Sequence, residues 1–423
     1  MEALPLAANI VMATLAAYAG GSVVYLNTLL GAATRAKREP LTMPGVATYT
    51  VTVVVPAHNE EAVLRATLHS LTKQDYPTNA YRVLVIADNC TDATAQIGRE
   101  CGATVWERVN LDERGKGYAL AWAFERIKAD SDPSDFYVIV DADTEAAPNC
   151  LTELVARAVS IGERAAVQAR YGVLNTDDGW RTALMTGAFD LVNHVKPLGR
   201  ERLGLSAGLK GNGMIFGRET MRVAKWRGDS ITEDLDFGLD LLEEHGIRVA
   251  YAPDAVVRAQ MPVGEQESRS QRDRWERGRR EIVARRSGGL LWRGLTQGDF
   301  RKTDAALDML IPPLAELFAL LAAWTLVCGV NVALGFVSPW WLAAAAATWL
   351  GYGVYVIGGL KVADASGAAV GALLKAPAYM IWKFVLFAQS KLRRGKDGKE
   401  WVRTARITVA PVESSETPEA THR

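Results

Sequence analysis

Two long stretches of this chain carry no formal charge, and that absence limits its fold more than any motif does. Leu6 to Ala33 and Gly335 to Leu360 contain no Asp, Glu, Lys or Arg. A helix of about 20 apolar residues crosses a hydrocarbon layer, and in lipid a helix satisfies its own backbone. Both stretches are expected to be transmembrane helices. Leu307 to Val337 is almost wholly apolar but holds Asp308 and Glu316, so a further span is read from near Met309. Glu316 then falls two to three turns inside that span, next to Pro312-Pro313. An acid there either faces a polar path or is satisfied at the interface or by buried hydrogen bonds. The first stretch lacks a convincing small-residue cleavage site and exceeds a signal peptide's apolar region, so it is kept as an anchor.

The flanks set the orientation. Arg35, Lys37 and Arg38 follow the first span, Arg301 and Lys302 precede the second, and Lys361 follows the third. The Val337-Ser338-Pro339 connection has no cation, so the basic flanks all lie on the cytoplasmic side. The soluble block from about 40 to 300 then faces the cytosol. Lys+Arg and Asp+Glu are both 48, so net charge gives no attraction to nucleic acid. Cys90, Cys101, Cys150 and Cys328 have no metal-binding spacing and no disulfide framework.

Within the soluble block, apolar runs alternate with helical patterns. Tyr49 to Pro56 is a β-branched run, followed by His58-Asn59-Glu60-Glu61 and a helical pattern through Leu64, Leu68 and Leu71. Tyr81 to Ala87 repeats the form and ends in Asp88-Asn89, with Thr91-Asp92 placed to cap a helix. Thr104 to Val109 is a third strand, and Tyr118 to Ala129 a helix. Phe136 to Val140 is a fourth strand that stops in Asp141-Ala142-Asp143. If strand geometry continues, both carboxylates project the same way. Such a pair either ends the strand as loop residues or binds a hard divalent cation whose shell is completed by water and phosphate. The alternation predicts a mostly parallel, doubly wound sheet whose ligands bind at the strands' carboxyl ends. Glu60, Asp88, Asp141 and Asp143 fall there.

Neither a P-loop nor a dinucleotide fingerprint follows the first strand, so a diphosphate needs a metal and basic side chains. Ser230-Ile231-Thr232-Glu233-Asp234 opens an amphipathic helix. Its acids either suit a helix N-terminus or do chemistry. Gln271-Arg272-Asp273-Arg274-Trp275 begins a dense basic helix, read as a solvated or headgroup-contacting face.

Taken in order, Pro56-Ala57-His58-Asn59-Glu60, Asp88 to Asp92, Asp141-Ala142-Asp143, Thr232-Glu233-Asp234 and Gln271 to Trp275 resemble family 2 glycosyltransferases. The resemblance is to the membrane-embedded group with cellulose, chitin and hyaluronan synthases, over residues 50 to 280. It implies a GT-A-like, Rossmann-like α/β cytosolic domain plus transmembrane helices. Ala57, Glu60 and Asp88 would hold uracil and ribose of a UDP-sugar, with Lys116 beside the nucleotide. Asp141 and Asp143 would meet ribose, diphosphate and Mg²⁺ or Mn²⁺, with Asp143 the metal ligand. Asp234 would be the general base of an inverting transfer; the sequence alone does not choose between it and Glu233, which is placed with the acceptor. Gln271 and Trp275 would line the acceptor site and Arg274 the diphosphate. Gly213 lies where the family has its acceptor loop, although Gly211-Asn212-Gly213 departs from the cellulose and hyaluronan wording. Trp401, Thr404 and Arg406 resemble the gating segment of related synthases.

The expected division is an N-terminal span at 6–33, the transferase domain at 40–280 and an interfacial basic helix at 281–304. Two spans follow within 307–360, then an interfacial or re-entrant helix at 366–390, a gating-like segment at 391–408 and a disordered tail at 409–423. The leading expectation is a processive synthase of a β-linked glycan from UDP-sugar, at the cytosolic face of a bacterial inner membrane. Single-sugar transfer to a polyprenyl phosphate or glycolipid is the alternative, and an inactive scaffold a third. An oligomer or export partner fits the small number of spans.

Overall fold

A computed structural model of the chain describes residues 3–35, 49–129, 133–230, 232–261, 265–377 and 379, with the side chains of 265–273 left aside. Helix α1 (Ala3–Thr34) precedes three β/α repeats and a fourth strand. These are β1 (Val51–Ala57), α2 (Leu64–Thr72), β2 (Tyr81–Asp88), α3 (Thr94–Glu100), β3 (Thr104–Arg108), α4 (Lys116–Lys128) and β4 (Phe136–Ile139). Their β-branched runs are buried on both faces: every residue of β1 and β4 is buried. Two-sided burial is what a parallel strand covered by helices requires, and β1 pairs in parallel with both β2 and β4.

The second half of the domain is mixed. It runs β5 (Thr144–Ala146), α5 (Cys150–Ile161), β6 (Ala166–Val173), α6 (Trp180–Asp190), α7 (Lys196–Arg202), β7 (Met214–Gly217), α8 (Arg218–Val223), α9 (Glu233–His245) and β8 (Ala250–Ala259). The eight strands lie in the order β3-β2-β1-β4-β7-β6-β8-β5. β7 is antiparallel to both β4 and β6, while β6 and β8 are parallel. One face is packed by Leu64, Leu68, Leu71, Leu151 and Leu154 from α2 and α5. The other is packed by Leu120, Phe124, Phe237 and Leu241 from α4 and α9. Each such buried side chain contributes about 1.5–3 kcal/mol.

The chain then forms α10 (Glu265–Gln297), α11 (Phe300–Leu310), α12 (Leu314–Ala333), α13 (Trp340–Val362) and α14 (Gly367–Ala372). Three helices are long and apolar enough to cross a membrane: Leu4–Thr34, Leu314–Ala333 and Trp340–Val362. The second starts at Leu314 rather than near Met309. Pro312 and Pro313 have no N–H to donate and stop α11, and the Arg279 guanidinium donates to the freed carbonyls of Met309 and Ile311, at 2.9 and 2.5 Å. Glu316 consequently sits exposed in the first turn of α12, not deep within a span. Met12, Ala19, Leu321, Trp324, Cys328 and Ala345 are buried among the three helices. The last third of α1 docks on the soluble domain instead. Leu26, Leu29, Leu30 and Ala33 are buried, and α7 approaches so closely that a Cβ on Gly199 would overlap the Leu29 carbonyl.

The basic helix α10 is not a free solvated face. Arg285 and Arg286 pair with Asp236, and Arg286 reaches Asp240 at 2.7 Å and Glu243 at 2.9 Å. The acids of α9 therefore clamp α9 and α10 together. α14 packs on α6, with Ala369 against Gly187. Gly367 to Lys375 forms α14 and a following 3₁₀ turn, and Ala376, Pro377 and Tyr379 are helical too; residue 378 and the rest of the expected 366–390 helix, with everything after it, lie outside the described residues.

Candidate active site

The loops after β1 and β2 brace each other, and the turn after β4 approaches the start of α9 through Lys116 and Gly211. After β1, Asn59 adopts left-handed backbone geometry, as does Asn89 after β2; short amide side chains tolerate it. In this brace Asn59 Oδ1 accepts from the Thr91 N–H at 2.7 Å, and His58 Nδ1 lies 2.7 Å from the Asp88 carbonyl oxygen. Ala57 ends β1, buried. The Glu60 N–H donates to Thr94 Oγ1 at 2.8 Å. Asp88 is 3% exposed, and its Oδ1 accepts from Arg108 Nη1 at 2.7 Å. Arg108, which sequence reasoning did not single out, thus holds the second loop against the third.

Asp141 and Asp143 do not project from a strand. β4 ends at Ile139, and both acids lie in the turn leading to β5, so strand alternation does not aim them. Asn212 fixes that turn. It is 0% exposed, its Oδ1 accepts from the Asp141 N–H at 3.1 Å, and its Nδ2 donates to Thr144 Oγ1 at 2.8 Å. Gln168 in turn donates to the Asn212 carbonyl at 2.7 Å. Gly213 has φ +66°, and a Cβ there would come within 2.7 Å of Val257 and 2.9 Å of Ala169. Only glycine fits that crossing, so Gly213 seats the loop between β4 and β6.

Lys116 stands at the centre. Its Nζ is 2.5 Å from Asp141 Oδ1 and donates to the Gly211 carbonyl at 2.5 Å. A Cβ on Gly211 would meet Asp234 Oδ2 at 3.3 Å and Lys116 Nζ at 3.7 Å. Lys116, Asp141, Gly211 and Asp234 therefore share one cleft. Burial works to lower the Lys116 pKa, but Asp141, Glu233 and Asp234 outweigh it and raise it, so this side chain is an ammonium. Burial pushes Glu233 up to about 7, with Asp234 adding to the rise and Lys116 opposing it. Burial also raises Asp234, against the pull of Lys116, the Leu235 N–H and Lys210. Glu233 and Asp234 are the first residues of α9, and Thr232, its N-cap, makes no side-chain cap. Two carboxyls side by side, both raised by burial, suit proton transfer near neutral pH.

The acid pair fits a hard divalent cation in part. Asp141 Oδ1 is buried with Lys116 close by but no aligned hydrogen bond. Among the described residues no group of three or more His, Cys, Asp or Glu side chains gathers to hold a metal. The protein would supply two carboxylates, leaving diphosphate and water to complete the shell, as Mg²⁺ ordinarily allows.

Trp275 lies on α10 with its ring 6.2 Å from that of Phe189, which meets Tyr171 at 5.6 Å. Arg274 is exposed. The side chain of Gln271, and Trp401, Thr404 and Arg406 altogether, lie outside the described residues.

A family model described as "Glycosyltransferase like family 2" matches residues 48–278, more than half of the chain. The chain belongs to this family. Its eight-stranded mixed sheet with helices on both faces is the GT-A-like part of the chain. The chain is 25% identical over 240 residues to the probable glycosyltransferase YdaM of Bacillus subtilis, covering 55% of this chain and 56% of that one. It is 28% identical over 213 residues to a beta-monoglucosyldiacylglycerol synthase of Nostoc, covering 48% and 43%. Against the hyaluronan synthase of Streptococcus pyogenes it is 37% identical over 115 residues, 25% of this chain and 26% of the relative. The chain thus spans about half, or less, of the length of these relatives. A mannosyltransferase of Pyrobaculum calidifontis, solved with GDP-Man and Mn²⁺, superposes with a TM-score of 0.46 at 20% identity, over 84% of this chain and 98% of that one.

Proposed function

We propose that this glycosyltransferase moves a sugar, with inversion, from a UDP-sugar to an acceptor hydroxyl held at the cytosolic face of a bacterial inner membrane. The observation that carries the reading is the shared cleft: Asp234 lies against Gly211, whose carbonyl Lys116 holds while it also contacts Asp141. Ala57, Glu60 and Asp88 would border the nucleoside. Asp141 and Asp143 would hold Mg²⁺ or Mn²⁺, which offsets the charge that develops on the departing UDP. Lys116 is a cation within reach of the same phosphates. Asp234 takes the proton from the acceptor oxygen as that oxygen attacks the anomeric carbon opposite the leaving group.

A membrane lipid is the acceptor class best supported. The three apolar helices pack on one another through Met12, Leu321, Trp324 and Ala345, which favours an acceptor that approaches along the membrane over a glycan threaded through this bundle. The Gln-Arg-Asp-Arg-Trp sequence favours repeated addition to a growing glycan, the second reading, with Trp275 and Phe189 as the stacking surface. Membranes containing the protein are incubated with labelled UDP-sugars. A chloroform-soluble single-sugar product supports the first reading and a polymer ladder the second. UDP release that persists unchanged in Asp234→Asn sinks both.

A further inference from the structure

Lys210 is the charged member of the glycine loop, and the transfer described above does not use it. Its N–H donates to Gln168 Oε1 at 2.8 Å, which pins the backbone. Two residues before it, a Cβ on Gly208 would lie 3.9 Å from Arg200 Nη1; one residue after it, Gly211 borders Asp234. Lys210 therefore stands between the cations of α7 and the base.

Those α7 cations already have partners. Arg200 Nε donates to Asp304 Oδ2 at 2.8 Å and Nη1 to Asp308 at 3.3 Å, while Lys196 Nζ is 2.6 Å from Asp308. Tyr25 of α1 adds a hydroxyl to Asp304 Oδ1 at 2.9 Å. Lys196 and Arg200 are balanced by Asp304 and Asp308, and Lys210 is left over. Among the described residues its ammonium makes no ion pair and no hydrogen bond; Lys196, Asp308, Arg200 and Asp234 are the charges around it. Burial, then Lys196, lowers its pKa to about 8, which leaves it mainly charged at neutral pH. Its ammonium is not sealed from solvent and among the described residues no carboxylate closes on it, so an anion brought by a ligand would take the place of water there.

The place narrows the ligand. Asp304 and Asp308 lie on α11, which leads into α12, and Tyr25 lies on α1, so this cluster sits where the apolar helices join the soluble domain. We propose that Lys210 binds a phosphate group of the acceptor, set close to the hydroxyl that Asp234 deprotonates. The acceptor is then a phosphorylated polyol, either an anionic phospholipid headgroup or its soluble counterpart. The phosphate stays intact: the acceptor oxygen bonds to the anomeric carbon, the bond from that carbon to UDP breaks, and the proton passes to Asp234. This rests on the assignment of Asp234 as base.

The test uses the full chain in nanodiscs with the UDP-sugar that gives the fastest UDP release. Phosphatidylglycerol in the disc, soluble glycerol phosphate, and neutral diacylglycerol are compared as acceptors. Label entering phosphatidylglycerol but not diacylglycerol supports a lipid source, and label entering glycerol phosphate a soluble one. With the favoured acceptor, Lys210→Met should raise the acceptor KM by about tenfold or more, leave the KM for UDP-sugar near its original value, and be rescued by Lys210→Arg. Label entering only diacylglycerol or a polymer, or an acceptor KM unchanged in Lys210→Met, overturns the proposal. Acceptor selectivity is measured on the unmodified protein, so a misfolded variant does not decide the matter. UDP release absent with every acceptor would instead remove the proposed function.

Discussion

Asn212→Ala tests the claim that the glycine loop and the acid-pair turn are one unit. The substitution deletes the acceptor for the Asp141 N–H and the donor to Thr144 Oγ1, both at a fully buried position. A buried polar group left without a partner costs about 1–3 kcal/mol, so the two together cost roughly 2–6 kcal/mol. For a domain of this size each kcal/mol lowers Tm by about 2–4 °C, giving a fall of roughly 4–24 °C. The catalytic effect is separate: a carboxylate misplaced by ~1 Å costs on the order of 10²-fold in rate. Asn212→Asp keeps the acceptor for the Asp141 N–H but sets another charge beside that acid, so it should spare Tm better than it spares metal affinity. Thermal unfolding in detergent and UDP release measure the two effects. A Tm within about 2 °C of the original, together with an unchanged kcat, would refute the coupling.

Asp234→Asn should lower kcat by about 10²–10⁴-fold, the usual worth of a positioned base, with UDP release as readout. Burial raises both Asp234 and, to about 7, Glu233, so the rate should climb with pH as Asp234 loses its proton, and Lys116→Met should move that limb to higher pH by removing the cation that opposes the rise; a superimposable profile would contradict it. Stability runs the other way: a carboxyl whose folded pKa is raised stabilises fully below its unfolded value and loses that contribution as pH rises through about 7. Arg286→Met removes one partner each from Asp236, Asp240 and Glu243, so unfolding should become easier by about 3–5 kcal/mol, whereas exposed Arg280→Ala should change it by no more than about 0.5 kcal/mol. Chelation of divalent ions should abolish UDP release, Mn²⁺ or Mg²⁺ should restore it, and Asp143→Asn should require about tenfold or more metal.

Much of the transferase half was legible because its signals are local. Val51 to Val55 and Phe136 to Val140 are apolar runs that mean a strand wherever they fall, and the acids that follow them mark the cleft. The Asp141 pair was harder to aim, since one residue decides whether a strand continues or turns. The antiparallel β7 was not visible in Met214 to Gly217, where four apolar residues carry no direction. Long-range pairings were the least readable. Arg286 looked like one cation among many until three acids of α9 faced it, and Asp308 looked like a blemish in a span until Lys196 and Arg200 met it. Asn212 did leave a trace: an amide between two glycines, in a loop whose sparse side chains must each hold something.

The ion pairs from α10 to α9, with Arg279 grasping the end of α11, have a mechanical result. The helix that presents Asp234 is tied through α10 to the end of α11, next to the apolar α12, as well as to the sheet. Detergents that let α12 and α13 splay would slacken that carboxylate while the strands remain intact. Activity should then fade on delipidation well before the soluble domain melts, and added lipid should bring it back.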